Sequence, residues 1–448
     1  MSHQPSERPV RAGRLALLVV ASLVFAACAS TPATPPASAG PGSSQGPSSA
    51  PGSQPSALPS EQPSDEPSEE PSDEPSSLPS LAPTAVPATP TPSPTATTQA
   101  ACANQVLRSM TKAQRIGELF ALGLAKNQLG TAELSAIQNQ HVGTVWFTAT
   151  TTIGVAGIRA VTSAVQAQAT VAATDGVELL IAANQEGGQV QALKGTGFAT
   201  IPSAVVQGGR SIATLTAEAK VWGQELKSAG VNLDFAPVAD VVPPGTDSTN
   251  QPIGVLQREY GHDPVTAGSH AAAFIAGLTA AGVDTTAKHF PGLGRVENNT
   301  DFSANVVDDV TTAHDPYLGS FQDAIDAHVP FVMVALATYT RIDPDNLAAF
   351  SPTVMGILRN QLGFKGVITS DSLTAKAVAS IPAGQRAIDF LVAGGDLVVV
   401  NSASAMVTMV NAVQARVTTD PAFSHLVDED ALLVLKAKAA AGLLPAGC

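Results

Sequence analysis

The chain is short of positive charge. Its 23 Lys and Arg stand against 37 Asp and Glu, a formal net charge of -14, and only 13% of its 448 residues are charged at all. Nucleic-acid recognition begins from a basic patch or stripe that neutralises phosphates, so nothing here supports a nucleic-acid partner. Cysteine is scarcer still, with three in all and far apart, and the eight His are dispersed, which excludes a metal cluster with closely spaced ligands. No Gly-rich phosphate loop follows a strand and opens a helix. The chemistry to expect is that of side chains alone, with no metal and no organic cofactor.

Part of the acidity is local. Glu61, Asp65, Glu66, Glu69, Glu70, Asp73 and Glu74 lie in one stretch without Lys or Arg, inside a segment of Pro, Ser, Ala and Thr from residue 29 to residue 100. That segment has almost no aromatic or large aliphatic residues and cannot bury enough apolar surface to offset chain entropy, so it is expected to be a disordered tether. Ahead of it, residues 1–28 read as an export signal. Arg8, Arg11 and Arg14 supply a positive start, and Leu15 to Ala27 form an apolar run too short to span a membrane comfortably. The run ends at Ala26-Ala27-Cys28, which resembles the lipobox of bacterial lipoproteins and makes Cys28 the candidate lipidation site. Ordinary cleavage near Ala27 without lipid is the alternative. The expected location is the outer face of the cytoplasmic membrane, with the membrane touched only through the anchor and the folded part a monomer.

From residue 101 to residue 448 the pattern changes. With 44% hydrophobic residues the chain can bury a large core. Short runs rich in Val, Ile and Leu alternate with amphipathic stretches, as parallel strands covered by crossover helices do. Strands are expected at Leu119 to Gly123, Val142 to Phe147, Glu178 to Ala183, Asn232 to Ala236, Val283 to Lys288, Phe331 to Leu336, Gly366 to Ser370 and Asp396 to Val400. Helices are expected between them, for example over Thr216 to Ser228, Val265 to Ala281, Pro352 to Gln361 and Ala383 to Ala393. Eight such units fit one α/β domain, a single (β/α)8 TIM-type barrel, with an open doubly wound sheet as the alternative. A closed barrel brings its first strand and last helix together, so Cys102 and Cys448 could staple the termini in an oxidising exterior, or could remain two unpaired thiols.

In such a barrel catalytic groups come from the C-terminal ends of strands. Three segments stand out there. Ala287-Lys288-His289-Phe290-Pro291-Gly292-Leu293-Gly294 presents a cation and an imidazole ahead of a Pro-Gly turn, donors suited to a polyhydroxylated ligand. Gly366-Val367-Ile368-Thr369-Ser370-Asp371-Ser372-Leu373 puts a lone carboxylate where the seventh strand opens into the pocket, although Asp after a strand often only caps the next helix. Ala183-Asn184-Gln185-Glu186-Gly187-Gly188-Gln189-Val190-Gln191 follows the third strand. Together these resemble glycoside hydrolase family 3, above all its single-domain β-N-acetylglucosaminidases. Further matches lie at Gly230 to Asp240, Arg258 to Pro264, and Phe350-Ser351 before Leu358-Arg359.

The resemblance implies a retaining glycosidase with Asp371 as nucleophile and with Asn184, Arg258, Lys288 and His289 as sugar-binding residues, acting on carbohydrate such as cell-wall fragments. Asp234 and Asp240 look structural. Two departures matter. Asn184 stands where the family usually has Asp, and an amide lacks the charge assistance of a carboxylate. The family's acid/base His, within Asp-Ser-His, is missing from Asp301-Phe302-Ser303. Asp301 is the candidate to replace it, with Glu297 in the same loop or a partner as alternatives. A membrane-tethered glycan-binding protein on a degenerate hydrolase barrel is the rival reading, and a purely structural surface protein a third.

Overall fold

The structure is a computed structural model that describes residues 96–446. The export signal with Cys28, the tether as far as residue 95, and Cys448 lie outside the described residues.

All eight apolar runs become strands: β1 (Phe120–Leu124), β2 (Thr144–Phe147), β3 (Leu180–Ala183), β4 (Leu233–Asp234), β5 (Asp284–Phe290), β6 (Phe331–Val334), β7 (Val367–Ser370) and β8 (Val398–Val400). Apart from the first residue of β5, every position in them is buried, as strands covered on both faces require. They pair in parallel in the order β7-β6-β5-β4-β3-β2-β1-β8. The two ends of that order, β7 and β8, are joined by a parallel bridge between Thr369 and Leu397, so the sheet comes nearly to closure as a TIM-type barrel and not as an open doubly wound sheet. Several strands are shorter than the sequence suggests. Val142, Ala236, Leu336 and Leu397 are fully buried but lie outside the strands, because hydrophobicity reports burial and not ladder pairing.

The helices are α1 (Ala96–Ser109), α2 (Lys112–Glu118), α3 (Thr131–Gln140), α4 (Gly154–Gln166), α5 (Ile212–Ser228), α6 (Pro264–Ala280), α7 (Gly319–Asp326), α8 (Pro352–Gly356), α9 (Ala383–Ala393), α10 (Ala403–Thr419) and α11 (Pro421–Ala440). Their starts follow local chemistry. Ser211 and Ser402 accept backbone N–H bonds as N-caps, and Asp263 and Asp420 do so with Pro at the first helical position, whose missing N–H has no partner to lose there. One boundary needs correction. The tether was expected to run to residue 100, yet α1 begins at Ala96 in the proline-free stretch ahead of Cys102, and its Ala103 and Val106 pack with Leu435 and Ala439. Cys102, on that helix, is disulfide-bonded, while its expected partner Cys448 lies outside the described residues. No helix among the described residues is long and apolar enough to cross a membrane.

The N-terminal rim of the barrel is tied to the last helix by charge. Lys438 on α11 and Glu118 at the end of α2 are both fully buried and paired, and Lys438 Nζ also donates to the Gly143 carbonyl at 2.8 Å. Burial nevertheless outweighs Lys438 and raises the Glu118 carboxyl, and it does the same to other buried carboxyls. Burial pushes Asp234 and Asp284 up to about 7 against the pull of nearby cations, and raises Asp396 to about 6 despite Arg359. These groups hold protons in the folded state that the unfolded chain releases near pH 4, so stability falls as pH rises from there through about 7. Thermal unfolding should therefore show a higher Tm at pH 5.5 than at pH 8. A Tm that is flat or rising over that interval would contradict these assignments.

Candidate active site

The site is assembled at the C-terminal ends of β3, β4, β5 and β7. After β3 the chain passes Asn184 and turns through a small antiparallel hairpin, Gln185–Gly187 with Val190–Gln191, which the sequence pattern did not reveal. Gly187 makes that turn possible: its φ is 108°, and a Cβ there would lie 2.2 Å from the Pro202 carbonyl oxygen. The Gln185 side chain bridges to both the N–H and the carbonyl of Leu193, and its backbone N–H donates to Asp234 Oδ1 at 2.9 Å. The hairpin is thus fixed, and so is the residue it presents, Glu186.

Glu186 is the hub of an ion triad that forms one wall of the site. Arg258 holds it with two bonds, Nε to Oε2 at 2.7 Å and Nη2 to Oε1 at 2.8 Å, the planar fork that suits a carboxylate. Lys288, at the end of β5, reaches the same Oε1 at 2.6 Å and donates to Asn184 Oδ1 at 2.8 Å. Burial works to raise Glu186, but the two cations overcome it and hold the carboxyl at about 2. Burial alone would lower Arg258, and Glu186, followed by Asp240 and Asp371, raises it instead.

His289 is oriented by Asp240, which lies in the segment after β4. Asp240 Oδ2 sits 2.7 Å from His289 Nδ1, and Oδ1 accepts the backbone N–H of His289 at 3.1 Å and of Leu293 at 2.8 Å. The carboxylate at Nδ1 fixes the orientation of the ring, and Nε2 lies 3.4 Å from Arg258 Nη2. The Lys288–His289 peptide is cis. Beyond Pro291 the loop is braced by Tyr339, whose hydroxyl donates to the Gly292 carbonyl, and by Asn250, whose amide donates to those of Leu293 and Val296.

The expected site residues come together. Asn184, Arg258, Lys288, His289, Asp301 and Asp371 all line one cavity of about 580 Å³, within the range typical of ligand sites. Asp371 follows β7 directly and accepts the Ser372 N–H at 2.7 Å. It caps no helix: the next helical turn, Lys376–Val378, starts from Ala375 without a side-chain cap. Asp301 remains open to solvent, yet the cavity walls strip its hydration and Asp371 adds a like charge, and together these raise its pKa against the opposing pull of His289, Arg258 and Lys288. Glu297, the alternative in the same loop, is exposed and does not line the cavity. Glu186 gained a role that the sequence had not assigned, and Asp240, expected to be structural, positions His289. Each lay inside a segment singled out for other members, but only their contacts reveal what they do. Asp234 is buried below the wall and braces the hairpin, in keeping with the structural role expected of it.

Comparison with known proteins adds an independent line. Residues 111–436 match the model of the glycosyl hydrolase family 3 N-terminal domain. A β-hexosaminidase of Xanthomonas campestris pv. campestris is 33% identical over 271 residues, covering 56% of this chain and 77% of that protein. The crystal structure of a β-N-acetylhexosaminidase from Beutenbergia cavernae superposes with a TM-score of 0.73 at 46% identity, over 73% of this chain and 98% of that one. A family 3 β-N-acetylglucosaminidase from Paenibacillus superposes with a TM-score of 0.66 at 26% identity, over 76% of this chain and 64% of its own.

The ion triad makes one firm expectation. Glu186→Gln leaves two buried cations facing a neutral amide, and breaking a buried pair by removing one partner costs about 3–5 kcal/mol. Denaturant unfolding should report a loss of that size, and a change below about 1 kcal/mol would mean that the triad is not the anchor of this wall.

Proposed function

This chain belongs to glycosyl hydrolase family 3, and from that premise we propose that it is a β-N-acetylhexosaminidase that removes terminal β-linked sugars, cell-wall fragments among them, by a retaining mechanism. In this reading Arg258, Lys288, His289 and Asn184 hold the hydroxyls of the terminal sugar. The Asp371 carboxylate attacks its anomeric carbon, and Asp301 gives its proton to the departing oxygen. A glycosyl-enzyme on Asp371 results. Asp301, now a carboxylate, takes a proton from water as that water attacks the same carbon, and Asp371 leaves as a free carboxylate.

The observation that carries this reading is the electrostatic dependence of Asp301 on Asp371 within one cavity. A carboxyl of raised proton affinity beside a second carboxylate is the pattern expected of an acid next to a nucleophile. The dependence also has the right sign for both halves of the cycle. While Asp371 is charged it favours the protonated, acid form of Asp301. Once Asp371 is esterified its charge is gone, Asp301 acidifies, and the base form needed for the second step is favoured.

The rival reading, a glycan-binding protein on a degenerate barrel, draws on Asn184 and on Ser303 at the place of the family's acid/base His. Turnover of 4-nitrophenyl β-N-acetylglucosaminide by the purified protein is the expected result. Sugar binding without turnover of any 4-nitrophenyl β-glycoside would favour the rival. A 2-fluoro-sugar should become covalently attached at Asp371, and its attachment elsewhere would remove the nucleophile assignment.

The acid form of Asp301 is the active one in the first step, and its raised pKa extends that form to higher pH than an ordinary aspartate allows. The alkaline limb of kcat/KM should report this group. Asp301→Asn should abolish that limb and slow poor leaving groups by about 10²- to 10⁴-fold, the usual contribution of general acid catalysis, while with an activated 4-nitrophenyl leaving group added azide should restore part of the rate by replacing the base-assisted attack of water. We further propose export and anchoring through lipid on Cys28. Cys28→Ser should move the protein from the detergent-extractable membrane fraction to the soluble fraction.

A further inference from the structure

Phe302 differs from the other large apolar side chains on the described surface. It is 80% exposed, and the other exposed large hydrophobics among the described residues are all Val or Ile. A single exposed apolar residue is ordinary. What distinguishes Phe302 is that it lines the cavity that contains Asp301 and Asp371.

Its backbone is held firmly for so exposed a side chain. The Phe302 N–H donates to the Asn299 carbonyl at 3.1 Å, as the Ser303 N–H does at 2.9 Å, and the Asp301 N–H donates to Asn299 Oδ1 at 2.8 Å. The loop after β7 grips the same turn from outside, with Ala377 N–H to the Thr300 carbonyl at 3.0 Å and Lys376 N–H to that of Asp301 at 3.2 Å. A ligand that settles on the ring therefore needs to order little more than one side chain, which keeps the entropic cost of binding small.

We propose that Phe302 is the platform of a leaving-group subsite, and that the ligand it takes is a second pyranose ring whose apolar C–H face covers the phenyl ring. The proposal rests on the reading of Asp301 as acid/base catalyst. A general acid must come within hydrogen-bond reach of the departing oxygen, so its chain neighbour flanks the part of the substrate that leaves and not the sugar that stays. The two sides of the cavity differ accordingly. The wall around Glu186 offers charged donors for the hydroxyls of one sugar, whereas Phe302 has no polar tip and can recognise only a face. Asn299, Thr374 and Asn401 line the same cavity and supply polar edges for the hydroxyls of the second ring.

The test compares N,N′-diacetylchitobiose with β-N-acetylglucosaminyl azide, whose leaving group has no ring, in the wild-type chain, Phe302→Ala and Phe302→Trp. Covering roughly 60 Å² of apolar ring surface corresponds to about a tenfold change in affinity. Phe302→Ala should lower the ratio of chitobiose to azide kcat/KM about tenfold, and Phe302→Trp should restore it. A ratio that is the same in all three proteins overturns the platform. If the wild-type chain cleaves neither compound, the catalytic reading fails by itself, and calorimetric binding of chitobiose then decides: about tenfold weaker binding by Phe302→Ala supports the platform, and equal binding rejects it.

Discussion

One carboxylate shared by two cations fixes the geometry on which the rest of the site depends. Glu186 comes from the hairpin after β3, Arg258 from the long connection after β4, and Lys288 from the end of β5, and their mutual bonds lock three separate parts of the barrel rim to one another. None of the three charges would be tolerated singly at such burial, because an isolated ion loses its hydration there without compensation. Held together they keep the donors of this wall in fixed directions, a preorganised polar surface. Asp240 does the same for His289 through three bonds from one carboxylate.

Across the cavity the logic is reversed. Asp301 and Asp371 have no cation shared tightly between them, and their coupling is that of like charges. The Glu186 triad uses charge for rigidity, whereas desolvation and then the nearby charge of Asp371 raise the proton affinity of Asp301. The two halves are built on different supports. The wall stands on strand ends and a hairpin closed by Gly187, while Asp301 rides on a turn held by backbone bonds from Lys376 and Ala377.

The departures from the family pattern fall on both halves. Asn184 still serves Lys288 as an acceptor, so the amide keeps the geometry while giving up a charge. Glu186 is then the carboxylate bonded to both Lys288 and Arg258. At the loop, Asp301 remains at the cavity while Ser303 replaces the imidazole, and Phe302 brings an aromatic face to the mouth. These changes alter the chemistry of the rim without disturbing the barrel beneath it, as expected where function is carried by loops on a rigid scaffold.

Alternating apolar runs and amphipathic stretches were enough to place all eight strands, since a buried parallel strand must be apolar on both faces and its covering helix on one. The motifs after β3, β4, β5 and β7 were likewise enough to name six of the residues that line the cavity, because catalytic groups of such barrels come from strand ends. Other features depended on contacts between segments far apart in the chain. Glu186 needed Arg258, 72 positions away, to become a hub, and Asp240 needed His289, 49 positions away, to become its guide. The packing of α1 against α11 required distant segments to meet, and the raised proton affinity of Asp301 comes from desolvation in the cavity and then from its nearness to Asp371. Pattern and motif are properties of neighbouring residues and can be read along the chain, whereas burial and electrostatic coupling exist only once distant segments have been brought together.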